Sequence, residues 1–438
     1  MVQQGLWSGP TVARVWRNSG WLLVERATRL LLALVIGAWI ARQLGPAQFG
    51  ELTYVLALLA FFQATANLGL DSIVVRNLSR EPDSAPDVLG SVFVARLAIG
   101  AVAWLCAVGS ASLMSTSGER IVALIAVAGA TVLLQAGDTV DLWFQSRSQS
   151  RRTVLVKLVA SAVSGAIRVA LLLLNAPLIA FAAALSIEAA CIAIGMYVAY
   201  RRSPTERPWN FRPTLLRQLL REGWPLLASA VAVMVYMRID QILIRDALGE
   251  RALGVYAAAL SISHVWHFLP GILTVSLLPV LVIDNKGNPE LARQRLVMVF
   301  RCYFAAATLI SLCVSLAAPL IIRILYGAHY EDAAAILRVH VFSNVFIFLG
   351  VAHSMWLTNE GKSGVRLVGT AIAGSFSVLA NYWLLPLYGL TAAAATAIGS
   401  QFIAAVGINF FMARESFWMQ LDAVTFAASS KRRGRASV

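Results

Sequence analysis

Residues 20–80 read GWLLVERATRLLLALVIGAWIARQLGPAQFGELTYVLALLAFFQATANLGLDSIVVRNLSR, two apolar segments on either side of a Leu-Gly-Pro turn. A weaker copy starts at residue 223 and reads GWPLLASAVAVMVYMRIDQILIRDALGERALGVYAAALSIS. Aligning the two Gly-Trp starts, with a one-residue adjustment, brings Leu44-Gly45 opposite Leu248-Gly249 and Gly50 opposite Gly254. Many membrane transporters consist of two related halves, so this pairing predicts an internal repeat.

The composition of the whole chain is that of a membrane protein. Of 438 residues, 59% are hydrophobic and 13% are charged, and the mean hydropathy is +0.72. Soluble domains carry roughly 25% charged residues, whereas a helix that crosses a bilayer needs about 20 mostly apolar ones. Apolar runs of that length recur along the chain, so an all-α integral membrane protein is predicted.

The apolar runs predict about twelve transmembrane helices in two parallel-repeat lobes of six, around a central cavity. We expect an N-terminal lobe at 1–200, a cytoplasmic linker with an amphipathic helix at 201–222, a C-terminal lobe at 223–412 and a basic tail at 413–438. Pro270 and Pro279 should kink the eighth span, since proline removes a backbone donor. The predicted spans are 20–41, 51–71, 88–110, 121–144, 154–174, 178–200, 223–245, 252–283, 296–318, 333–357, 364–385 and 389–412.

The net charge of +14 is concentrated in alternate loops between the predicted spans. Six arginines lie between residues 201 and 221, and the tail contains KRRGR at 431–435. The other set of loops offers Arg42, Arg120, Arg245, Arg251 and Arg323. Because cytoplasmic loops accumulate Lys and Arg, both termini are predicted to be cytoplasmic. This distribution argues against nucleic acid as a partner, and the short outer loops leave no room for a catalytic domain.

Two motifs carry a resemblance to a known family. The first joins ARQLGPAQFG at 41–50 to GLDSIVVR at 69–76, and the second is Leu325-Tyr326-Gly327 followed by Tyr330 and Ala333. Both resemble the bacterial polysaccharide flippases, the O-antigen transporter type of the multidrug/oligosaccharidyl-lipid/polysaccharide exporter superfamily. The twelve-span, two-lobe layout is also similar to that family.

The resemblance implies a transporter of the bacterial cytoplasmic membrane that is not an enzyme. It would carry a polyprenyl-diphosphate-linked oligosaccharide from the inner to the outer leaflet by alternating access, for the synthesis of O-antigen, exopolysaccharide or another surface polysaccharide. The implied partners are that glycan, membrane lipids, H⁺ or Na⁺ as the coupling ion, and a polysaccharide polymerase with its chain-length machinery. No cofactor is implied, and the chain contains no GxxxxGK[ST] phosphate loop for ATP.

Arginines inside predicted spans are candidate substrate ligands. A charge within the bilayer costs at least ~2.5 kcal/mol on insertion scales, and guanidinium pairs well with phosphate oxygens. We therefore expect the lipid diphosphate to be bound by Arg26, Arg29, Arg168 and Arg238. The alternative is a structural role for each, as an ion-paired or snorkelling residue.

Acids inside spans are candidates for ion coupling. Glu188, near the middle of the sixth span, could take up a proton, or could pair with Arg168 across a short turn; these two interpretations are not exclusive. Asp240 is the second coupling candidate. Gating or structural salt bridges are expected instead for Asp71, Asp138, Asp141 and Arg96.

His264 and His267 share a helix face, but no acids accompany them, so packed or hydrogen-bonded roles are expected rather than a metal site. Two other classes of function remain open. One is a cation-coupled small-molecule exporter of the multidrug type, and the other is a membrane glycosyltransferase or polymerase. A peptidoglycan-precursor flippase is a near neighbour of the preferred interpretation.

Overall fold

The computed structural model describes residues 10–113, 118–147, 149–203, 208–271, 274, 289–360 and 362–425. Within these ranges, the side chains of residues 10–29, 31, 150, 289, 291–292, 358–359 and 363 are outside the description. The described residues are helical and contain no strand, as the apolar periodicity predicted.

The α-helices are numbered in chain order, and three 3-10 turns matter below: Gln135–Asp138, Val265–His267 and Ala328–Tyr330. The helix bounds are α1 Pro10–Ala66, α2 Asp71–Arg80, α3 Ala85–Leu113, α4 Glu119–Leu134, α5 Thr139–Ser146, α6 Ser150–Leu173, α7 Leu178–Arg201, α8 Pro213–His264, α9 Pro289–Leu325, α10 Ala333–His340, α11 Ser343–Asn359, α12 Ser363–Tyr388, α13 Leu390–Phe402, α14 Asn409–Met412 and α15 Arg414–Val424.

Ten helical segments among the described residues are long and apolar enough to cross a membrane. Two of them, Leu32–Arg80 with 49 residues and Pro213–Gly271 with 59, are each more than twice the roughly 20 residues of one crossing. The chain is thus an all-helical membrane protein, while the count of twelve crossings stays a prediction. The ten segments are Leu32–Arg80, Pro82–Leu113, Glu119–Ser146, Arg151–Leu173, Leu178–Arg201, Pro213–Gly271, Arg293–Leu325, Ala333–Leu357, Gly364–Tyr388 and Leu390–Met412.

Each of the two longest helices is interrupted by one glycine. Gly45 in α1 has φ 74° and ψ 168°, and Gly249 in α8 has φ 85° and ψ 174°. Only glycine adopts such angles without strain, and Pro46 then restarts the helix with its fixed φ. The two positions that the repeat placed opposite each other therefore have nearly the same backbone conformation.

The repeated glycines one turn further on pack against each other. A Cβ added to Gly50 would lie 1.8 Å from the Glu250 carbonyl oxygen, and one added to Gly254 would lie 1.8 Å from the Pro46 carbonyl oxygen. Two helix backbones thus approach so closely that only hydrogen fits at both positions. This reciprocal contact supports the repeat predicted from the sequence.

The chain forms two compact units, Gln43–Gly254 and Met1–Arg42 with Val255–Val438. Their boundaries lie within a few residues of Gly45 and Gly249. The first 42 residues belong to the unit of residues 255–438, whereas the sequence placed them in an N-terminal lobe at 1–200. The predicted lobes remain a prediction.

Each unit has its own hydrophobic core. In Gln43–Gly254 the core includes the fully buried Leu70, Val74, Leu89 and Phe144. The predicted amphipathic stretch packs on this core through Leu219, which is 1% exposed. In the other unit the core includes Phe300, Tyr303, Phe348 and Trp356.

A 3-10 turn lies at the end of α8, within the eighth predicted span, and the kink expected at Pro270 stays a prediction. The 3-10 turn Val265–His267 follows α8 immediately, and the ring of Pro270 removes the N–H that would bond to the Trp266 carbonyl. The second predicted kink, at Pro279, lies outside the described residues, as do most residues between 272 and 288.

Candidate functional site

The first two residues of the first motif, Ala41 and Arg42, meet the second motif within one compact unit. Tyr330, fully buried, donates a hydrogen bond of 2.8 Å from its hydroxyl to the Ala41 carbonyl. Gly327 has φ +82°, and a Cβ added there would lie 3.3 Å from Arg42 Nε. Burial raises the pKa of Tyr330, so its hydroxyl keeps the proton that it donates. The segment Tyr326–Tyr330 therefore packs against the end of the first apolar segment and is hydrogen-bonded to it.

The Gly-Leu-Asp part of the first motif packs against the start of the second sequence copy. Gly69 has φ +64°, and a Cβ added there would meet the Leu227 nitrogen at 2.5 Å and the Gly223 carbonyl oxygen at 2.9 Å. The glycine is thus required both by its backbone angle and by the close approach. These motifs are structural contacts, and the charged side chains are the candidates for function.

Arg168 and Glu188 form an ion pair between α6 and α7. Arg168 Nη2 lies 2.6 Å from Glu188 Oε2, and the buried Ser164 donates to the same oxygen at 2.8 Å. The side chains are 24% and 25% exposed. The ion pair is one of the two interpretations that the sequence left open for Glu188; proton uptake by this residue stays a prediction.

Arg238 lies on α8 without an acidic partner among the described residues. Its only hydrogen bond there runs from Nη1 to Gln241 Oε1 at 3.4 Å, a long contact, and its side chain is half-buried. Asp240, two residues on, accepts a hydrogen bond from the Gln241 backbone N–H at 2.8 Å and makes a further interaction. A half-buried guanidinium with no acid beside it retains its capacity to bind an anion.

Arg96 pairs with Asp71. The Arg96 guanidinium donates from Nη2 to an Asp71 carboxylate oxygen, and Asn67 Nδ2 donates to the other oxygen at 3.3 Å. Arg96 is 2% exposed and Asp71 is 54% exposed. Two nitrogens of Arg96, Nε and Nη1, are buried without a hydrogen-bond partner in the described part of the chain. Asp71 and Arg96 thus form a salt bridge with each other, and a gating role for either residue remains a prediction.

The other two acids of the predicted gate differ from each other. Asp141, 9% exposed, accepts a contact of 2.6 Å from Lys157 Nζ, so it forms the expected salt bridge. Asp138, in the 3-10 turn between α4 and α5, has its Oδ1 buried without a hydrogen-bond partner among the described residues. Asp141 thus forms a salt bridge and Asp138 makes none with the described residues, while a gating role for either acid stays a prediction.

Sequence reasoning missed the environment of Arg245 by assigning it to an outer loop. Arg245 lies inside α8 and its side chain is 3% exposed. It contacts Asp246 and Glu250, each at 3.2 Å, and its Cζ lies 4.7 Å from the centre of the Tyr54 ring. The signal in the sequence was the repeat, since both copies have an arginine just before the Leu-Gly turn.

The histidines have the packed surroundings expected of them. The rings of His264 and His267 are 4.6 Å apart between centroids, and His340 Nδ1 lies 3.0 Å from Ser263 Oγ. His353 Nδ1 lies 2.8 Å from Ser416 Oγ. Among the described residues no group of three His, Cys, Asp or Glu side chains could hold a metal ion. Arg26 and Arg29 lie on α1, but their side chains are outside the described residues.

A family model described as "Polysaccharide biosynthesis protein" matches residues 15–282, more than half of the chain. The chain belongs to the polysaccharide biosynthesis protein family. This confirms the resemblance that the motifs at 41–76 indicated. The match includes the repeat, both helix-breaking glycines and all four predicted substrate arginines.

Among curated proteins, the chain is similar to the succinoglycan biosynthesis transport protein ExoT of Rhizobium meliloti (strain 1021). The two are 25% identical over 262 residues, which is 57% of this chain and 50% of ExoT. The alignment thus spans about half the length of that relative.

Two solved structures have a similar fold. An inward-facing structure of a multidrug resistance MATE family transporter of the MOP superfamily has a TM-score of 0.73 at 16% identity, covering 92% of this chain and 96% of that one. The lipid II flippase MurJ, in an inward closed conformation, has a TM-score of 0.72 at 13% identity, covering 92% and 91%. At these identities the likeness shows the fold alone. The protein is therefore a membrane protein of the polysaccharide biosynthesis protein family with a MATE- and MurJ-like fold.

Proposed function

We propose that this protein moves a polyprenyl-diphosphate-linked oligosaccharide from the inner to the outer leaflet of the bacterial cytoplasmic membrane, with both termini in the cytoplasm. The observation that carries the proposal is the guanidinium of Arg238, which has no acidic partner among the described residues, in a chain of the polysaccharide biosynthesis protein family. A lipid diphosphate has to cross a medium of low dielectric, where a fixed cation compensates its charge better than water-exposed groups can.

Arg168 is the second proposed ligand of the diphosphate, and it differs from Arg238 in having a carboxylate partner. The Glu188 carboxylate and a phosphate group are alternative partners for one guanidinium, since each is an oxygen anion that can accept a pair of hydrogen bonds from it. Arg26 and Arg29, on the first apolar segment, are proposed to complete the cation set. Glu188 and Asp240 are proposed to bind the coupling ion, H⁺ or Na⁺.

The membrane potential adds to the driving force of such a transporter. A diphosphate substrate carries negative charge outward, and an inside-negative potential favours that movement by about 2.3 kcal/mol per elementary charge per 100 mV. The cycle is proposed to be alternating access without ATP and without a chemical step on the substrate. In the cell, a polysaccharide polymerase with its chain-length machinery would use the flipped product.

The test is made in a strain from which the gene has been deleted and to which variants are returned at equal expression. Polyprenyl-linked lipids are extracted and measured by mass spectrometry beside the surface polysaccharide. Loss of the gene should accumulate a complete diphosphate-linked repeat unit and remove the surface glycan. Arg238→Ala should reproduce that accumulation and Arg238→Lys should reproduce it in part. The matched control, Arg217→Ala, removes an exposed arginine of the same helix and should behave as wild type.

A small-molecule exporter of the multidrug type is the competing function, and the same strain separates the two. Normal lipid-linked pools and a normal surface glycan in the deletion strain, together with new sensitivity to cationic drugs, would overturn the flippase proposal. Full activity of the Arg238→Ala variant would not affect the family assignment, but it would show that Arg238 is not needed to bind the substrate.

A further inference from the structure

A groove runs along the surface between α6 and α7, within the compact unit Gln43–Gly254. It has a volume of about 660 Å³, and its walls are mostly aliphatic, including Val156, Val159 and Val163. The floor is shallow where the helices approach closely: a Cβ added to Gly195 would lie 2.6 Å from Val156 Cγ1. The groove is not part of the charge clusters described above.

One end of the groove is positively charged. Arg152 and Arg202 both line it, the first at the start of α6 and the second directly after α7. Because a short turn at residues 174–177 joins the two helices, the start of α6 and the end of α7 lie at the same end of the pair. Neither guanidinium makes an ion pair with a described residue; Arg152 Cζ lies 5.7 Å from the centre of the Phe144 ring.

The length of the groove matches one leaflet of a bilayer. Along α6 it extends from Arg152 to Val163, and the helical rise makes that distance about 16 Å. The hydrocarbon core of a bilayer is about 30 Å thick, so an apolar chain in this groove would reach from the headgroup level to about the midplane. The opposite end, near Cys191, is lined without charge.

We infer that this groove binds an anionic phospholipid, with the phosphate held between Arg152 and Arg202 and one acyl chain lying over Val156, Val159 and Val163. Charge complementarity selects the headgroup, because two guanidiniums match the oxygens of a phosphate diester and repel a quaternary ammonium. The length of the groove favours a phospholipid acyl chain, since the groove fits a chain that ends at the midplane and not the much longer chain of a polyprenyl carrier. The site is independent of the proposed substrate path through Arg238.

The test uses the full-length protein in nanodiscs with equal amounts of phosphatidylglycerol and phosphatidylcholine of the same chain length. The protein is released into detergent, and the retained lipids are counted by native mass spectrometry. Wild type should retain phosphatidylglycerol over phosphatidylcholine by about tenfold. The double variant Arg152→Ala/Arg202→Ala should lose that preference. The control Arg151→Ala/Arg217→Ala, which removes the same charge from exposed positions outside the groove, should keep it.

A second pair of variants tests the chain-binding half without changing charge. Val159→Trp places a bulky side chain in the groove and should reduce retention of phosphatidylglycerol about tenfold. Val154→Trp, on the same helix and outside the groove, should not. Equal retention in the groove variants and their controls would overturn the inference, as would equal retention of the two lipids by wild type. When a polyprenyl diphosphate is added to the same nanodiscs, its selective retention by wild type and not by Arg152→Ala/Arg202→Ala would also overturn the inference, because the occupant would then be the substrate.

Discussion

Replacing Gly50 by alanine should separate two helix backbones that now touch. The new Cβ would lie 1.8 Å from the Glu250 carbonyl oxygen, 2.7 Å from its carbon and 2.9 Å from the Gly254 nitrogen. Real Cβ atoms lie at least about 3.0 Å from such atoms, so one backbone must move by about 1.2 Å. All three of these atoms belong to the main chain, so rotation of a side chain cannot relieve the clash.

The expected magnitude follows from the rigidity of that contact. Overpacking a tight interior typically costs 1–3 kcal/mol. Because the obstacle is main chain, we expect Gly50→Ala to destabilise the protein by about 3 kcal/mol. For a unit of this size, each kcal/mol shifts Tm by roughly 2–4 °C. We therefore expect a fall of roughly 6–12 °C in the apparent Tm, and a similar fall for Gly254→Ala, whose Cβ would meet the Pro46 carbonyl oxygen.

The assay is thermal unfolding of purified protein in detergent, followed by intrinsic fluorescence at one fixed scan rate. The matched control is Gly109→Ala in α3, where an added Cβ meets no atom within 4 Å. In a helix interior that change should stabilise by roughly 0.5–1 kcal/mol. If Gly50→Ala unfolds at the same temperature as Gly109→Ala, the close helix crossing does not exist in the protein, and the structural argument for the repeat is refuted.

Three further predictions concern polar contacts between side chains or with the main chain. Tyr330→Phe removes a buried hydrogen bond and should lower the free energy of unfolding by about 1–2 kcal/mol; an unchanged apparent Tm would show that the hydroxyl makes no such contact. Asp71→Asn leaves the Arg96 guanidinium buried without its carboxylate and, since Asp71 itself is half-exposed, should destabilise by about 1–3 kcal/mol. Adding Arg96→Met should recover part of that loss. A double variant that is less stable to unfolding than Asp71→Asn alone would contradict the pairing. In a double-mutant cycle on unfolding, Arg168→Gln and Glu188→Gln should be coupled by about 0.5–3 kcal/mol, whereas additive effects would exclude a direct ion pair.

The parts of the fold that the sequence predicted are those governed by local requirements. A positive φ needs glycine wherever it occurs, so Gly45 and Gly249 could be matched from the chain alone. The turn between α6 and α7 is short, and the helical rise then brings Arg168 and Glu188 to similar depths. Their ion pair could therefore be anticipated as one of two alternatives.

The parts that the sequence did not predict depend on which helices become neighbours. Asp71 and Arg76 both lie on α2, yet Arg76 pairs with Glu222 at 2.5 Å and Asp71 pairs with Arg96. Arg245 seemed to belong to a short loop because hydropathy windows average over a turn. In the structure α8 continues through Arg245 up to the break at Gly249, so the arginine is buried. The hydrophobic periodicity of a sequence does not indicate which charged residues on different helices will pair.

The pairing of charges also divides the predicted substrate arginines into two kinds. Arg168 has a carboxylate partner, and the described residues give Arg238 none. If both bind the diphosphate, loss of Arg238 should weaken binding more than loss of Arg168, because Arg168 has to exchange its Glu188 partner for the phosphate whereas Arg238 gives up no carboxylate.

The central claim is tested most directly in proteoliposomes. Purified protein is reconstituted with a polyprenyl-diphosphate oligosaccharide in one leaflet, and the sugar that appears in the other leaflet is measured with a membrane-impermeant glycosidase or lectin. The account predicts protein-dependent appearance that an imposed membrane potential accelerates, that Arg238→Ala slows at least about tenfold and that Arg217→Ala leaves unchanged. Translocation no faster than in protein-free liposomes, under any imposed gradient, would contradict it.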